Sequence, residues 1–343
     1  MSSYRLFRRI TINIFYMKKL RNFSLIVVLI AGLLSTLSCN SCQSRREVVQ
    51  AQPYNRISPD FNADSAYHFI QTQVDFGPRV PGTASHEACG DFLVTKLKSY
   101  GAAVIEQRAD ITHYNGKNLT LRNIIGSWHP EMEKRVLLFA HWDTRPFADE
   151  EQDAQRQQQP IMGADDAASG VGVLLEIARQ LQQQPVTVGI DIIFFDLEDW
   201  GQPSFEENWV QGEWWCLGSQ YWSEQPHIAN YKAAYGILLD MVGGNGATFL
   251  KEGYSQQYAP TVVERIWSMA ARLGYSDYFL PQSGGYITDD HLPVNKQQRA
   301  PSADIINLKK DTQTGFAPYW HTLNDDMRQI DRNTLKAVGQ TVM

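Results

Sequence analysis

Histidine and carboxylate side chains directly follow three short apolar runs in this sequence. His141 follows the run VLLFA, the acidic segment 196–199 follows IDIIFF, and Asp240 follows YGILL. Runs of this length, bounded by polar or glycine residues, are typical of buried strands. An acid after a strand is often only a turn or capping residue. Three strand ends that all carry metal-type ligands are harder to explain as independent caps, so we expect these side chains to converge at the carboxyl edge of a sheet.

Two further segments offer ligands of the same kind. In the segment GADDAASG the adjacent acids Asp165 and Asp166 precede a helical pattern; as helix caps they would be redundant, so one of them is free to point elsewhere. The pair Glu198 and Asp199 needs a turn before one acid can bind an ion while the other faces a substrate, because successive extended residues point to opposite sides. His321 supplies a second imidazole. Histidine together with carboxylates suits zinc, which in a catalytic site keeps one position open for water or substrate.

The elements that would position these residues alternate between strands and helices. Strand-like apolar runs occur at 136–140, 190–195, 235–239 and 305–308. Helical periodicity occurs at 168–181 and 261–273, and further helices are expected at 65–76 and 86–100. This alternation predicts an α/β fold with a mixed, mostly parallel central sheet and helices on both faces. No internal repeat or long linker divides residues 59–343, so we expect them to form one domain.

The first 58 residues differ in composition from the rest of the chain. Residues 1–38 carry six basic side chains and no acid, and from Met17 they show a basic stretch, the apolar run FSLIVVLIAGLLSTL and small residues. This is the pattern of an export signal, and residues 1–16 would then lie upstream of the true start. A single transmembrane anchor is the alternative, although the run is shorter than the roughly 20 residues that a span needs. Residues 39–58 are predicted to be a tether.

Charge and cysteine usage indicate where the protein acts. The segment TLSC loosely resembles the lipidation box of bacterial lipoproteins and makes Cys39 a candidate for lipidation. We therefore expect an exported protein of a Gram-negative bacterium, periplasmic or held at the membrane only through its signal or a lipid. The net charge of -6 becomes -12 without residues 1–38, and this acidic balance argues against a nucleic-acid partner. Cys89 and Cys216 are predicted to be packed thiols. We expect the protein to be a monomer.

The order of the motifs resembles that of a known group of enzymes. The motifs HWD at His141, GADDAASG, FFDLED, LLDMVG and WHT occur in the order found in the zinc-dependent aminopeptidase clan. Four details narrow the resemblance to the glutaminyl-peptide cyclotransferases, the glutaminyl cyclases of the animal type and their bacterial relatives. These are FGPRVPGT at 76–83, DDHLP at 289–293, Trp320 directly before the last histidine, and Phe316 four positions before Trp320. The resemblance covers residues 59–343 and implies a zinc-aminopeptidase-like fold.

The resemblance assigns the polar residues to a metal site and a proton-transfer group. It implies that one zinc ion is held by three residues: Asp166, Asp199 and His321. Glu198 would be the general acid/base, and Asp240 and Asp289 would form a hydrogen-bond network with it. Asp199 departs from the animal enzymes, which have glutamate here, so the backbone must approach the metal more closely.

The resemblance also assigns aromatic residues to the substrate pocket. Trp320 and Phe316 would form its wall. The segment 202–215 is longer than in the animal enzymes, so the further pocket tryptophan expected there is one of three: Trp209, Trp214 or Trp215. His141 would either support the site or bind a second metal ion.

The implied reaction acts on peptides and proteins with an N-terminal glutamine. The α-amine attacks its own side-chain carboxamide to give pyroglutamate and ammonia, with zinc polarising the carbonyl and Glu198 carrying the proton. A secreted zinc aminopeptidase is the alternative, because His141 and Asp240 would complete a second zinc site in that branch. A non-catalytic peptide-binding lipoprotein of the same fold is a third reading, which the intact Glu198 and zinc ligands disfavour.

Overall fold

The computed structural model describes residues 56–184 and 186–343. The predicted export signal at 1–38 and most of the predicted tether at 39–58 lie outside the described residues. Within the described ranges, no helix is both long and apolar enough to cross a membrane.

A mixed sheet forms the centre of the described part of the chain. Its strands and those of a small second sheet are β1 (Ala103–Thr112), β2 (Asn118–Trp128), β3 (Arg135–His141), β4 (Gly189–Phe195), β5 (Tyr235–Asp240), β6 (Phe249–Lys251), β7 (Phe279–Ser283) and β8 (Ser302–Ile306). The central sheet has the order β1-β2-β4-β3-β5-β8, while β6 pairs with β7. β4, β3, β5 and β8 run parallel, whereas β2 is antiparallel to both β1 and β4. The predicted mixed, mostly parallel sheet is therefore confirmed.

Helices cover both faces of this sheet. They are α1 (Ala63–Asp75), α2 (Ala84–Ser99), α3 (Ala154–Gln157), α4 (Ala168–Gln183), α5 (Leu217–Glu224), α6 (Gly253–Tyr258), α7 (Pro260–Arg272), α8 (His291–Lys296) and α9 (Arg332–Val342), with a 3-10 turn at Met327–Gln329. Leu138 of β3 belongs to the larger core, which includes residues of α1, α4 and α9. Its neighbour Leu137 points to the opposite face, where it shares a second core with Trp222 of α5 and Val294 of α8.

Apolar periodicity located most of these elements, and polar side chains explain the exceptions. The helices expected at 65–76 and 86–100 begin two residues earlier, where Asn62 and Thr83 cap them through bonds from backbone N–H groups. The strand expected at 305–308 is Ser302–Ile306, because the buried acid Asp304 interrupts its apolar pattern. β1 and β2 were not predicted; β1 is an edge strand of alternating polar residues with few buried side chains.

The parallel strands bring the polar strand ends to one edge of the sheet. β3 ends at His141, which pairs with Phe195 at the end of β4, and β5 ends at Asp240. Glu198 lies three residues beyond the end of β4. The segments that carry His141, Glu198 and Asp240 therefore leave the sheet side by side, as the sequence predicted.

Candidate metal centre and active-site cavity

Three buried side chains converge from separate loops to form what we call the ligand group: Asp166, Asp199 and His321. Asp166 precedes α4, Asp199 follows β4, and His321 lies after β8. The His321 Nε2 atom lies 3.3 Å from the Asp199 Oδ1 atom and 3.7 Å from the Asp166 Oδ2 atom. One potential ligand atom from each residue lies within 4.8 Å of the other two. These are the distances over which one ion can touch all three.

The donor set of the ligand group fits zinc. Two carboxylates and one imidazole are ligands that zinc accepts, and three protein ligands leave a fourth position open. The Oδ2 atom of Asp199 is buried and has no hydrogen-bond partner among the described residues, so it is available for coordination. Burial and the neighbouring Asp166 raise the pKa of Asp199, although His321 and Arg145 oppose this shift.

A buried ion pair orients His321 from behind. The Nδ1 atom of His321 lies 3.2 Å from the Asp149 Oδ1 atom, which leaves Nε2 to face the ligand group. Asp149 accepts two hydrogen bonds of 2.6 Å from Arg145. The Arg145 guanidinium also lies 3.5 Å from the Asp199 Oδ1 atom. Partners of this kind fix the ring orientation of metal-binding histidines, and sequence reasoning did not find Asp149.

A carboxylate also holds the loop that carries Asp166. Asp325 accepts hydrogen bonds from the backbone N–H groups of Asp165 (2.8 Å) and Asp166 (3.1 Å). Asp165 itself accepts bonds from the Gly243 N–H (2.8 Å) and the Tyr319 hydroxyl (2.7 Å). No side chain caps the first turn of α4, so the prediction that one of the two adjacent acids caps this helix is wrong. Asp165 instead ties the loop to neighbouring segments, and Asp166 points into the ligand group.

A sharp turn after β4 separates Glu198 from Asp199. Leu197 adopts a left-handed backbone conformation with φ of 56°. Asp143 accepts hydrogen bonds from the N–H groups of Glu198 (3.1 Å) and Asp199 (3.2 Å). The turn that the adjacent acids required is thus formed by Leu197 and stabilised by Asp143.

Glu198 is buried and is held by a thiol. The Sγ atom of Cys216 donates a hydrogen bond of 3.2 Å to the Glu198 Oε1 atom, and the Cys216 N–H donates one of 3.0 Å to the Glu198 carbonyl. Burial, together with the carboxylates of Asp289 and Asp199, raises the pKa of Glu198 well above its usual range. A carboxyl group with a raised pKa can give and take protons near neutral pH. Both cysteines of the described region are buried and free, as predicted, but the contact between Cys216 and Glu198 was not foreseen.

Asp289 and Asp240 were expected to form a network with Glu198, but they contact different residues. Ligand atoms of Asp289 and Glu198 lie within 4.8 Å of each other. Burial and the neighbouring Asp240 raise the pKa of Asp289 to about 7. Asp240 lies 3.2 Å from the Nε2 atom of His141, which also lies 3.0 Å from Asp166. The expected hydrogen bonds between Glu198 and these aspartates are not observed among the described residues, and the His141 Nδ1 atom lies 4.0 Å from the Glu198 Oε2 atom.

His141, Asp166 and Asp240 form a second group of potential metal ligands. Although burial opposes its charged form, the carboxylates of Asp143, Asp166 and Asp240 raise the pKa of His141 well above its usual range. A protonated His141 would neutralise Asp166 and Asp240 from one side. The same three groups could instead bind a second ion, so the geometry is compatible with either role.

Aromatic rings form the wall of a cavity of about 260 Å³ over the ligand group. The Trp320 ring stacks on His321 with centroids 3.6 Å apart, and Phe316 lies 4.5 Å from Trp320. Of the three candidate tryptophans in the segment after β4, Trp215 lines this cavity and stacks on His321 at 6.1 Å. Trp209 is 67% exposed, and Trp214 packs against His113 and Tyr114.

Comparison with known proteins places the chain in a family. Residues 123–343 match the model of Peptidase family M28. The crystal structure of a Zn-dependent exopeptidase from Parabacteroides distasonis is 57% identical, with a TM-score of 0.82, and the match covers 83% of this chain and 97% of that chain. The crystal structure of Tannerella forsythia glutaminyl cyclase is 56% identical, with a TM-score of 0.81 and the same coverage of 83% and 97%.

The curated relatives include both cyclotransferases and aminopeptidases. A glutaminyl-peptide cyclotransferase of Drosophila melanogaster is 26% identical over 292 residues, which are 75% of this chain and 73% of that protein. An aminopeptidase of Bacillus subtilis is 27% identical over 277 residues, which are 77% of this chain, but the chain spans only 52% of that protein's length. The family match over residues 123–343, which are more than half of the chain, leads to one conclusion: the chain belongs to Peptidase family M28.

Proposed function

We propose that this protein is a glutaminyl-peptide cyclotransferase that converts the N-terminal glutamine of peptides to pyroglutamate with release of ammonia. The observation that carries the proposal is the part of the cavity where the buried Glu198 lies beside the ligand group and the rings of Trp215 and Trp320 form the wall. A cavity of this size suits one glutamine side chain with its α-amine. The similarity to the Tannerella forsythia glutaminyl cyclase, over nearly the whole of that chain, supports the proposal.

The ligand group would hold one zinc ion, which when bound supplies a Lewis acid for the oxygen of the substrate carboxamide. The chain provides for this in two ways. Asp149 and Arg145 keep the His321 Nε2 atom directed into the group. Asp325 fixes the loop of Asp166 through bonds from two backbone N–H groups, so contacts within the chain hold this ligand in place.

Glu198 carries the proton in the proposed reaction. As the α-nitrogen of the substrate attacks the carboxamide carbon, Glu198 accepts a proton from that nitrogen. A carbon–nitrogen bond closes the ring, and the bond from the same carbon to the amide nitrogen breaks. Glu198 returns the proton to the departing nitrogen, which leaves as ammonia. Its raised pKa suits this exchange near neutral pH.

The aromatic walls decide between ring closure and hydrolysis. Trp215, Phe316 and Trp320 restrict the space over the reacting carbon, so they limit the access of water. An intramolecular amine held in this space competes well, because its approach needs no further loss of translational freedom.

An aminopeptidase activity is the second candidate. The observation in its favour is the group His141, Asp166 and Asp240, in which the histidine nitrogen lies 3.0 Å and 3.2 Å from the two carboxylates. With ions held in this group and in the ligand group, Glu198 would act as the base towards a water molecule in peptide hydrolysis.

A paired assay distinguishes the two activities. Peptides that begin with glutamine or with leucine are incubated with the zinc-loaded protein, and ammonia and free amino acids are measured separately. We expect ammonia from the glutamine peptide only, and no free amino acid from either. Release of amino acid without ammonia would establish the aminopeptidase and rule out the cyclase. Metal analysis of the same sample counts the ions per chain.

We further propose that the enzyme acts outside the cytoplasm, after export directed by residues 1–38. The support is the basic and apolar pattern of that segment and the cysteine at position 39. Fractionation of the native host, with labelling by a radioactive fatty acid, tests the anchor. Label that persists in a Cys39→Ala variant would contradict lipidation at this position.

A further inference from the structure

A row of three tyrosine rings leads from the active-site cavity across the surface. Tyr286 lines the cavity, yet 66% of its surface is exposed. Its ring lies edge-on to the ring of Tyr254, with centroids 4.9 Å apart. Tyr254 in turn lies 6.5 Å from Tyr258, which is also exposed. The row therefore joins the cavity at Tyr286 and is exposed at its two ends, with the half-buried Tyr254 between them.

The exposed ring of Tyr286 is held in place by the backbone beneath it. The Gly253 N–H donates a hydrogen bond of 2.7 Å to the Gly285 carbonyl, and the Ile287 N–H donates one of 3.0 Å to Glu252. The Tyr286 ring rests on Gly253, because a Cβ atom there would come within 2.7 Å of the tyrosine Cγ atom. An aromatic side chain that is ordered before binding loses little conformational entropy when a ligand packs on it.

We propose that Tyr286, backed by Tyr254 and Tyr258, binds the side chain of the second residue of the peptide substrate and favours aromatic residues there. This inference rests on the proposed function. When the first residue lies beside the buried Glu198 and ligand group, the rest of the peptide must extend toward solvent, and the exposed Tyr286 lines the cavity on its way. Aromatic rings prefer edge-to-face and offset contacts with one another, which a row of tyrosines offers to an incoming phenyl ring.

The neighbouring surface favours a different kind of residue. A smaller cavity shares Trp215 and Thr288 with the first, but it is also lined by Glu213, Glu224 and Lys296. Charged groups there would favour a polar second residue. The preference of the enzyme for the second residue of the peptide therefore shows whether the peptide extends along the tyrosine row or into the smaller, charged cavity.

The test compares the peptide amides Gln-Phe and Gln-Ala by the rate of ammonia release. We expect the wild-type enzyme to have the higher kcat/KM for Gln-Phe, and the ratio of the two values to fall about tenfold in Tyr286→Ala, the loss of one aromatic contact. Tyr286→Phe keeps the ring and should keep the ratio. Trp209→Ala removes an equally exposed ring that does not line the cavity, and both rates should stay as in the wild type.

The outcomes separate this inference from the function on which it rests. If neither peptide releases ammonia, the proposed function is wrong. If both are cyclised but the ratio is the same in Tyr286→Ala and in the wild type, the subsite is overturned and the function stands. Gly253→Ala adds a second measure: it displaces the ring without removing it, and it should lower the ratio while the protein still unfolds at its usual temperature.

Discussion

On one side of the active-site cavity buried carboxylates lie next to cations, and on the other side they lie next to one another. In and behind the ligand group, Asp166 lies 3.0 Å from His141, and Asp149 accepts bonds of 2.6 Å from Arg145. On the opposite side lie three buried acids that we call the acid cluster: Asp289, Asp290 and Asp304. Among the described residues, five carboxyl oxygens of this cluster have no hydrogen-bond partner.

The two environments shift the pKa of buried aspartates in opposite directions and so give them different roles. Despite its burial, the bonds from Arg145 hold the pKa of Asp149 well below its usual range. Burial raises the pKa of Asp289 to about 7, and burial raises the pKa of Asp290 and of Asp304 well above the usual range. The contacts of Asp149 favour its ionised form, which can orient a metal ligand, while burial favours the protonated forms in the acid cluster.

The largest effect should come from Glu198, which lies between the two sides. The Glu198→Gln variant keeps the size of the side chain but cannot accept the proton. We expect kcat for ammonia release to fall about a thousandfold, with zinc content and KM little changed. Glu207→Gln, at an exposed position, is the matched control and should retain full activity. Near-normal turnover by Glu198→Gln would contradict the assignment of the proton carrier.

Asp149→Asn should weaken the ligand side alone. The neutral amide binds the His321 Nδ1–H and the Arg145 guanidinium more weakly than the carboxylate does, so His321 is held less firmly in its orientation. We expect zinc affinity, measured by competition with a chelator, to fall between about 10-fold and 100-fold. Asp153→Asn, which alters a cap of α3 in the same loop, should leave the affinity unchanged. Equal affinities in Asp149→Asn and the wild type would show that the ion pair has no role in metal binding.

Asp304→Asn should alter the pH dependence of stability on the acid side. The pKa of Asp304 is raised in the folded protein. Its contribution to the free energy of unfolding is therefore fully present below the pKa of the unfolded chain, near 3.8, and is lost as pH rises through the pKa of the folded protein. The neutral amide imitates the protonated acid at every pH. We therefore expect the variant to be more stable than the wild type by about 1 kcal/mol or more at pH ~8, and equal to it at pH ~4.

Denaturant unfolding at several pH values measures this difference. Asp277→Asn, at an exposed position, serves as the control and should follow the wild type throughout. A gain in stability that is the same at both pH values would mean that Asp304 acts through packing rather than through its proton.

The smallest expected effect concerns the thiol beside Glu198. Cys216→Val removes the hydrogen bond to the Oε1 atom, and we expect kcat to fall about fivefold with KM unchanged, the loss of one modest hydrogen bond. Cys216→Ser restores a donor and should recover most of the rate. If serine and valine lower kcat equally, the thiol only fills space.

The elements that carry the site could be predicted because their signals are local. The apolar runs before His141 and Asp240 are continuous and buried on both faces, so they stand out as strands of a covered parallel sheet. β1 and β2 escaped prediction because β1 is a polar edge strand, and the buried Arg122 of β2 is neutralised by Glu87, Asp91 and Glu106 rather than by apolar contacts.

Within the site, the residues at strand ends were predictable and their supporting partners were not. His141 and Asp240 follow strands directly, and the topology of parallel sheets places such residues together. Asp149, Asp325 and Cys216 act on partners that lie far away along the chain, so no spacing marks them. The choice of Trp215 among three tryptophans likewise needed the path of the loop after β4, which has no regular structure from which to derive it.

Because His321 stacks on two indole rings, tryptophan fluorescence can report on the metal centre. The imidazole lies 3.6 Å from the ring centre of Trp320 and 6.1 Å from that of Trp215, with both rings nearly parallel to it. A change in the charge of this imidazole alters the environment of both fluorophores at once. The unlabelled protein therefore carries its own reporter, and tryptophan emission should follow the loading of the ligand group in real time.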